Sequence, residues 1–339
     1  TNVLGLDRLL DTLDRVDESH PSRQPVLQGL VHFSSCYAHG QRQGLIPEEP
    51  LNPDVRTENS YETSKREGEF HVTCWQATRG RFIPVTIIRP SIVTGLDTPD
   101  GYLAWIGILS EPVQLDQMSG WMRRMIGIQA QRLRTIDAAL AAARRLRLPF
   151  VPLLGNEDGV LDLIDADDVE KYSWLVIERH RDANLPTVLR YLHLSNPDAP
   201  TLHELVNMTV SAFGHADMVP RLTLIRGFWL FAGFLGLLSA IPVLGKSIRR
   251  LYTRTSMLRP YLMRPSGTRF TTMATEAFFK QVGVNYTLRR VDADYVRHLI
   301  HEPLSPAPMF LGTKEDASTT DNPGWMPSRQ DITSDQAIV

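Results

Sequence analysis

Short, mostly apolar runs alternate along this chain with segments of helical period, and that alternation constrains the fold more than any other feature. Val26 to Phe33 and Phe82 to Ile88 are runs of strand length. A strand covered on both faces reads as such a run, because neither face can carry polar groups to water. Before the first run, Leu4, Leu9, Leu10 and Leu13 recur at roughly helical spacing and predict an amphipathic helix, ended by Pro21 and Pro25. Asn59 and Ser60 can cap a second helix over about residues 60–77. Arg89-Pro90 is expected to end the second strand. The order helix, strand, helix, strand predicts an α/β fold with a parallel sheet. Beyond it, a long Ala-rich helix is expected over 116–147, with Arg132, Arg134, Arg144, Arg145 and Arg147 on a solvated face. A strand at Phe150 to Leu154, a helix opening near Asp165 to Asp168, a strand at Arg190 to Leu194 and a helix from Thr201 complete the pattern.

Composition removes several classes of function. Hydrophobic residues are 42% and charged residues 22% of 339, which is a folded composition. A net charge of −2 excludes a uniformly basic nucleic-acid binder, and no nucleic-acid partner is expected. Two cysteines, Cys36 and Cys74, exclude a disulfide scaffold and a multi-cysteine metal site, and they suit a reducing, cytoplasmic setting. The charge is uneven. Residues 226–301 carry 12 Lys/Arg against 3 Asp/Glu, whereas residues 302–339 carry 2 against 6. Within the basic part, residues 227–245 have no charged side chain. That stretch, flanked by Arg226, Lys246, Arg249 and Arg250, suggests contact with a membrane surface through 227–250, a bilayer span, or an apolar wall of a substrate site.

Chemistry concentrates at Tyr61 and Lys65, four residues apart on one helix face. A phenol titrating near 10 is a poor proton donor near neutrality, and a neighbouring ammonium draws that value down. Ser35, just past the first strand, can hydrogen-bond the same oxygen. The C-terminal ends of parallel strands are where such sites form.

The strings around these residues resemble the extended short-chain dehydrogenase/reductases of the NAD-dependent epimerase/dehydratase superfamily. They are Asn2-Val3-Leu4-Gly5 with Leu9-Leu10, His32-Phe33-Ser34-Ser35, Asn59-Ser60-Tyr61 through Lys65, Ile87-Ile88-Arg89-Pro90-Ser91-Ile92-Val93-Thr94-Gly95, and Asp165-Ala166-Asp167-Asp168-Val169. The resemblance implies a Rossmann-like parallel sheet, incomplete at the N-terminus, with a smaller, mostly helical C-terminal substrate-binding part. Composition marks residues 216–301 as an apolar and basic substrate- or membrane-facing region and 302–339 as a polar, flexible tail, while the resemblance covers residues 1–215 as a partial NAD(P)-binding domain with interleaved substrate-binding elements. The resemblance also implies an enzyme using NADP or NAD. Tyr61 would be the acid/base, Lys65 would lower its pKa and hold the nicotinamide ribose, and Ser35 would steady the oxyanion. Asn2 would be a fourth catalytic member, and Pro90, Ser91 and Ile92 would line the cofactor pocket. No Gly-x-x-Gly-x-x-Gly string precedes Asn2, so the resemblance places that phosphate-cradling half upstream of Thr1.

Within the superfamily the chain is most similar to the fatty acyl-CoA and thioester reductases of the male-sterility-like branch. That similarity implies reduction of an acyl thioester, on coenzyme A or a carrier, to aldehyde or alcohol. Nucleotide-sugar epimerases or dehydratases and 3β-hydroxysteroid dehydrogenases share the motifs, as would a non-enzymatic reductase-like interaction protein. A homodimer is a further expectation. His32, His39 and His71 show no ligand spacing, so no metal is expected. Cys36 is expected to be a buried spectator, and the acids at 162, 165, 167 and 168 to cap a helix rather than bind a cation.

Overall fold

In a computed structural model of the protein, the described residues are 2–19, 27–78, 83–95, 137, 140–182, 185, 186, 188–227, 230, 233 and 261–301. The chain runs α1 (Asn2–Ser19), β1 (Leu30–Phe33), β2 (Leu45–Ile46), α2 (Ser60–Thr78), β3 (Val85–Pro90), β4 (Ile92–Thr94) and β5 (Val151–Leu154). It continues through β6 (Leu163–Asp165), α3 (Ala166–His180), β7 (Leu189–Leu194), α4 (Leu202–Ala212) and β8 (Leu222–Ile225). It closes with β9 (Arg269–Phe270), α5 (Met273–Gln281) and α6 (Ala293–His301).

A parallel sheet in the order β1-β3-β7 forms the centre. Side chains alternate faces along a strand, so β3 serves two cores at once. Val85 and Ile87 pack with Tyr191 against Leu10 of α1 and Val72 and Trp75 of α2. Ile88 packs with Leu192 and Leu194 against Tyr172 and Val176 of α3 and Phe278 and Phe279 of α5. Helices thus cover both faces, the arrangement expected of a parallel sheet. A third core gathers Leu163 of β6, Leu205 and Val210 of α4, Leu262, and Val296 and Leu299 of α6. Pairs β4-β6, β5-β8 and β2-β9 are also parallel.

Caps fall where the side chains predict them. The Asp165 carboxylate accepts from the Asp167 N–H at 3.0 Å and opens α3. Thr201 and Glu204 form a reciprocal capping box on α4. Among the described residues no group of acids, histidines or cysteines is arranged to hold a metal ion.

Two details depart from the sequence pattern. Arg89 and Pro90 lie inside β3 rather than after it. Pro90 takes the last rung, and the next donor, Ser91 N–H, bonds Leu194 O at 2.9 Å. In α1, Leu10 is buried while Leu4 and Leu9 are exposed. Leu6, Leu10 and Leu13 share the inward face, since spacings of four and three stay on one side and a spacing of five does not.

Of the helix expected over 116–147, only 137 and 140–147 lie among the described residues, with helix at 140–145. Most of the apolar stretch 227–245 and all of 302–339 lie outside them. Among the described residues no helix is long and apolar enough to cross a membrane.

Candidate active site

The end of β1 places the first site residue. Ser34 N–H bonds Ile88 O at 2.8 Å, which holds the chain in the sheet for one more residue. Ser35 then turns it into a short 3-10 helix, Cys36–His39, whose first N–H groups need an acceptor. Ser35 Oγ accepts from Tyr37 N–H at 3.2 Å and keeps its own O–H to donate. The turn is held on two further sides. Cys36, buried as expected, donates its S–H to Arg89 O at 2.9 Å, and burial pushes its thiol pKa well up, away from nucleophile behaviour. Gly40 ends the turn at a φ of 64°, where a Cβ would sit 2.4 Å from Arg56 O. That position requires glycine.

The first turn of α2 places the second pair. Asn59 Oδ1 accepts from Glu62 N–H at 2.9 Å, and Glu62 Oε2 accepts from Glu58 N–H at 2.7 Å. These bonds satisfy the helix start on either side of Tyr61. Tyr61 is 46% exposed, and no described residue hydrogen-bonds its hydroxyl. One turn on, Lys65 Nζ donates to Phe33 O at 3.0 Å and lies 5.9 Å from the centre of the Tyr61 ring. Burial lowers the Lys65 pKa and Glu69 opposes that shift. The strand-end carbonyl therefore tethers the ammonium beside the phenol while leaving two of its N–H groups for other acceptors.

Pro90, Ser91 and Ile92 continue the same edge: Pro90 ends β3, Ser91 is buried and Ile92 opens β4. Asn2 begins α1, and its side chain lies outside the described residues. Ser35, Tyr61, Lys65 and the 90–92 segment thus gather at the C-terminal ends of β1 and β3. No hydrogen bond joins Ser35 to Tyr61.

Behind this edge lies a dry cluster whose members are far apart in sequence. Arg89, fully buried, donates Nε and Nη2 to the two Glu69 oxygens at 2.9 and 2.7 Å. Its Nη1 lies 3.3 Å from Nε2 of both His39 and His193. His193 Nδ1 must donate to Thr271 O, at 2.9 Å, so its Nε2 accepts from Arg89. Burial, then the Arg89 charge, lowers the His193 pKa to about 3 and pushes His39 lower still. Glu48, in the loop after β2, accepts from His193 N–H at 2.9 Å and from Thr275 N–H at 3.0 Å. It thereby joins β7 to the start of α5.

Residues 1–154 match the NAD-binding family described as male sterility protein. No curated protein matches the chain. Among solved structures, MoeE5 in complex with UDP-glucose and NAD is 14% identical, covering 89% of this chain and 70% of its own, with a TM-score of 0.50. A putative epimerase from Burkholderia cenocepacia J2315 is 18% identical over 88% of this chain and 68% of its own, with a TM-score of 0.46. The terminal R domain from the myxalamid PKS-NRPS biosynthetic pathway is 19% identical over 83% and 59%, with a TM-score of 0.49. The likeness to MoeE5 is one of fold, a Rossmann-like α/β arrangement. The residues present suit the nicotinamide end of such a cofactor. Among the described residues Lys65 makes one side-chain hydrogen bond and the Tyr61 hydroxyl makes none, and both stand at the same strand ends.

Proposed function

We propose that this protein is an NAD(P)H-dependent reductase of acyl thioesters, carried on coenzyme A or a carrier protein. The observation that supports it most is the exposed Tyr61 side chain, with the Lys65 ammonium tethered to the end of β1 beside its ring. The male sterility match over residues 1–154 agrees with the resemblance drawn from the motifs. NAD(P)H supplies the hydride when bound. Tyr61 gives its proton to the substrate carbonyl oxygen as negative charge develops there. The Lys65 charge eases that transfer by favouring the phenolate left behind. Ser35 donates its O–H to the same oxygen. The resulting hemithioacetal collapses to an aldehyde and a free thiol. Pro90, Ser91 and Ile92 form the wall on the cofactor side, and residues 216–301 supply the acyl-facing part.

The test is a substrate panel read by NAD(P)H absorbance, containing acyl-CoA, 3β-hydroxysteroid and nucleotide-sugar compounds. Oxidation of NAD(P)H with acyl-CoA alone supports the reading. Turnover of a steroid or nucleotide sugar, with acyl-CoA inert, replaces it with that branch.

A further inference from the structure

Asp162 stands one residue before β6 and is only 4% exposed. The sequence groups it with the acids that cap a helix, but Asp165 takes that role at α3. The Asp162 carboxylate instead faces the exit of β7. It accepts from Ser195 Oγ at 2.5 Å and from Asn196 N–H at 3.0 Å. The buried Ser91 side chain faces the same carboxylate without a hydrogen bond of its own. The backbone of Asp162 is engaged as well: its carbonyl accepts from Ile92 N–H at 3.2 Å. The neighbouring donor, Ser91 N–H, bonds Leu194 O at 2.9 Å. Both N–H groups of Ser91-Ile92 thus end on one assembly, the first on the residue before Ser195 and the second on Asp162 itself.

The surroundings make the choice of an acid informative. The Tyr286 hydroxyl donates to Ser195 O and accepts from Ser195 N–H, both at 3.1 Å, so the exit of β7 already has a neutral fastening. A carboxylate this deep is costly to desolvate, and an amide or hydroxyl could tie the same loop without that cost. The titratable groups around Asp162 are Cys36 and Tyr37 in the turn after β1, Tyr286 ahead of α6 and Arg264 ahead of β9. Burial pushes the thiol and both phenols up and keeps them uncharged. Among these four, Arg264 alone is charged, and it favours the carboxylate. Burial raises the Asp162 pKa from 3.8 to about 6, against the bonds from Ser195 and Asn196.

We propose that Asp162 is a positioning residue for the cofactor: its carboxylate fixes the exit of β7 and, through Leu194 O and its own carbonyl, sets the Ser91-Ile92 wall. The inference deepens the proposed function and rests on it only for placing that wall on the cofactor side, not for the substrate. Hydrogen bonds to an ionised carboxylate are short and strong, whereas a protonated acid turns one oxygen into a donor that needs an acceptor of its own. The clamp on Ser195 and Asn196 is therefore complete only while Asp162 is ionised. Cofactor affinity falls as the pH drops and Asp162 takes up its proton.

The experiment is fluorescence titration of NADPH and NADH into the complete protein between about pH 5 and 8, with wild type, Asp162→Asn and Ser195→Ala compared. NADH is included because the extra phosphate of NADPH itself titrates near about 6. Wild-type affinity should weaken about fivefold or more on the acid side of a midpoint near pH 6. Asp162→Asn, which cannot ionise, should bind weakly and with no midpoint, its cofactor KM raised about as much while kcat stays within about threefold. Ser195→Ala removes a bond that favours the ionised form, so its midpoint should move up, a shift that a merely structural role would not produce. Turnover of a nucleotide sugar with acyl-CoA inert, and with the Asp162 dependence intact, keeps the positioning role and sinks the thioester reading. Failure of wild type to bind either cofactor sinks both. An Asp162→Asn profile like that of wild type, or a wild-type affinity without a midpoint in this range, overturns the inference. Should Asp162→Asn not fold, an unmoved midpoint in Ser195→Ala overturns it too.

Discussion

Helix α2 carries two polar constellations that differ in almost every respect. Near its start, Tyr61 is exposed and Lys65 half-buried at the strand ends, with a bond to Phe33 O holding the Lys65 ammonium to the scaffold. Two turns later, Glu69 points into the protein and meets a fully buried Arg89 through two bonds. The first pair keeps hydrogen-bonding capacity in reserve, as the proposed chemistry requires. The second spends nearly all of it internally. A buried ion pair adds little over a well-packed apolar replacement, yet removing one partner leaves a charge without compensation. One helix thus holds a dry cluster that fixes the edge of the sheet and a wet pair that the fixed edge presents.

That contrast can be broken experimentally, and the largest effect should come from the dry side. Glu69→Ala strands the Arg89 charge and should cost about 3–5 kcal/mol in urea unfolding. Glu69→Leu with Arg89→Leu should recover part of it. A loss below about 1 kcal/mol in Glu69→Ala would mean that Arg89 is not held as described. Glu48→Ala removes the acceptor shared by the His193 and Thr275 N–H groups and should cost about 1–3 kcal/mol.

The histidines give a pH signature. His193 has a folded pKa of about 3 against an ordinary 6.5. Below 6.5 the unfolded chain takes up a proton that the folded chain refuses. This contribution is therefore present above about pH 6.5 and is lost as the pH falls towards 3. Per refused proton the slope is about 1.4 kcal/mol per pH unit. His193→Gln should flatten stability against pH between 6.5 and 4 by up to that amount, and an unchanged slope would count against a neutral buried His193. The smallest expected change is on the wet side: Tyr61→Phe should move stability by less than about 0.5 kcal/mol, because the phenol is exposed and has no described hydrogen-bond partner.

What could be read in the sequence follows the same division. Tyr61 and Lys65 were legible because helical spacing alone puts them on one face. The caps at Asp165 and Thr201 were legible for the same local reason. Strand runs were legible by composition, although β3 extends through Pro90 because its last rungs are set by β7. The Arg89 cluster was not legible: Glu69, His39 and His193 come from three separate elements, and only the folded sheet brings them together. His39 shows no ligand spacing in the sequence, and nothing there pairs it with Arg89. Arg264 was one of several arginines in a basic segment. Its burial comes from Tyr37 and Phe270, the first more than 200 residues earlier in the chain.

The central claim is that Tyr61 is the proton donor of a hydride-transfer site. The direct measurement is single-turnover oxidation of NAD(P)H by the complete protein carrying Tyr61→Phe, with cofactor affinity followed separately by fluorescence. The account predicts a rate loss of about 100-fold or more with cofactor affinity within about threefold of wild type. A rate within a few-fold of wild type would contradict it.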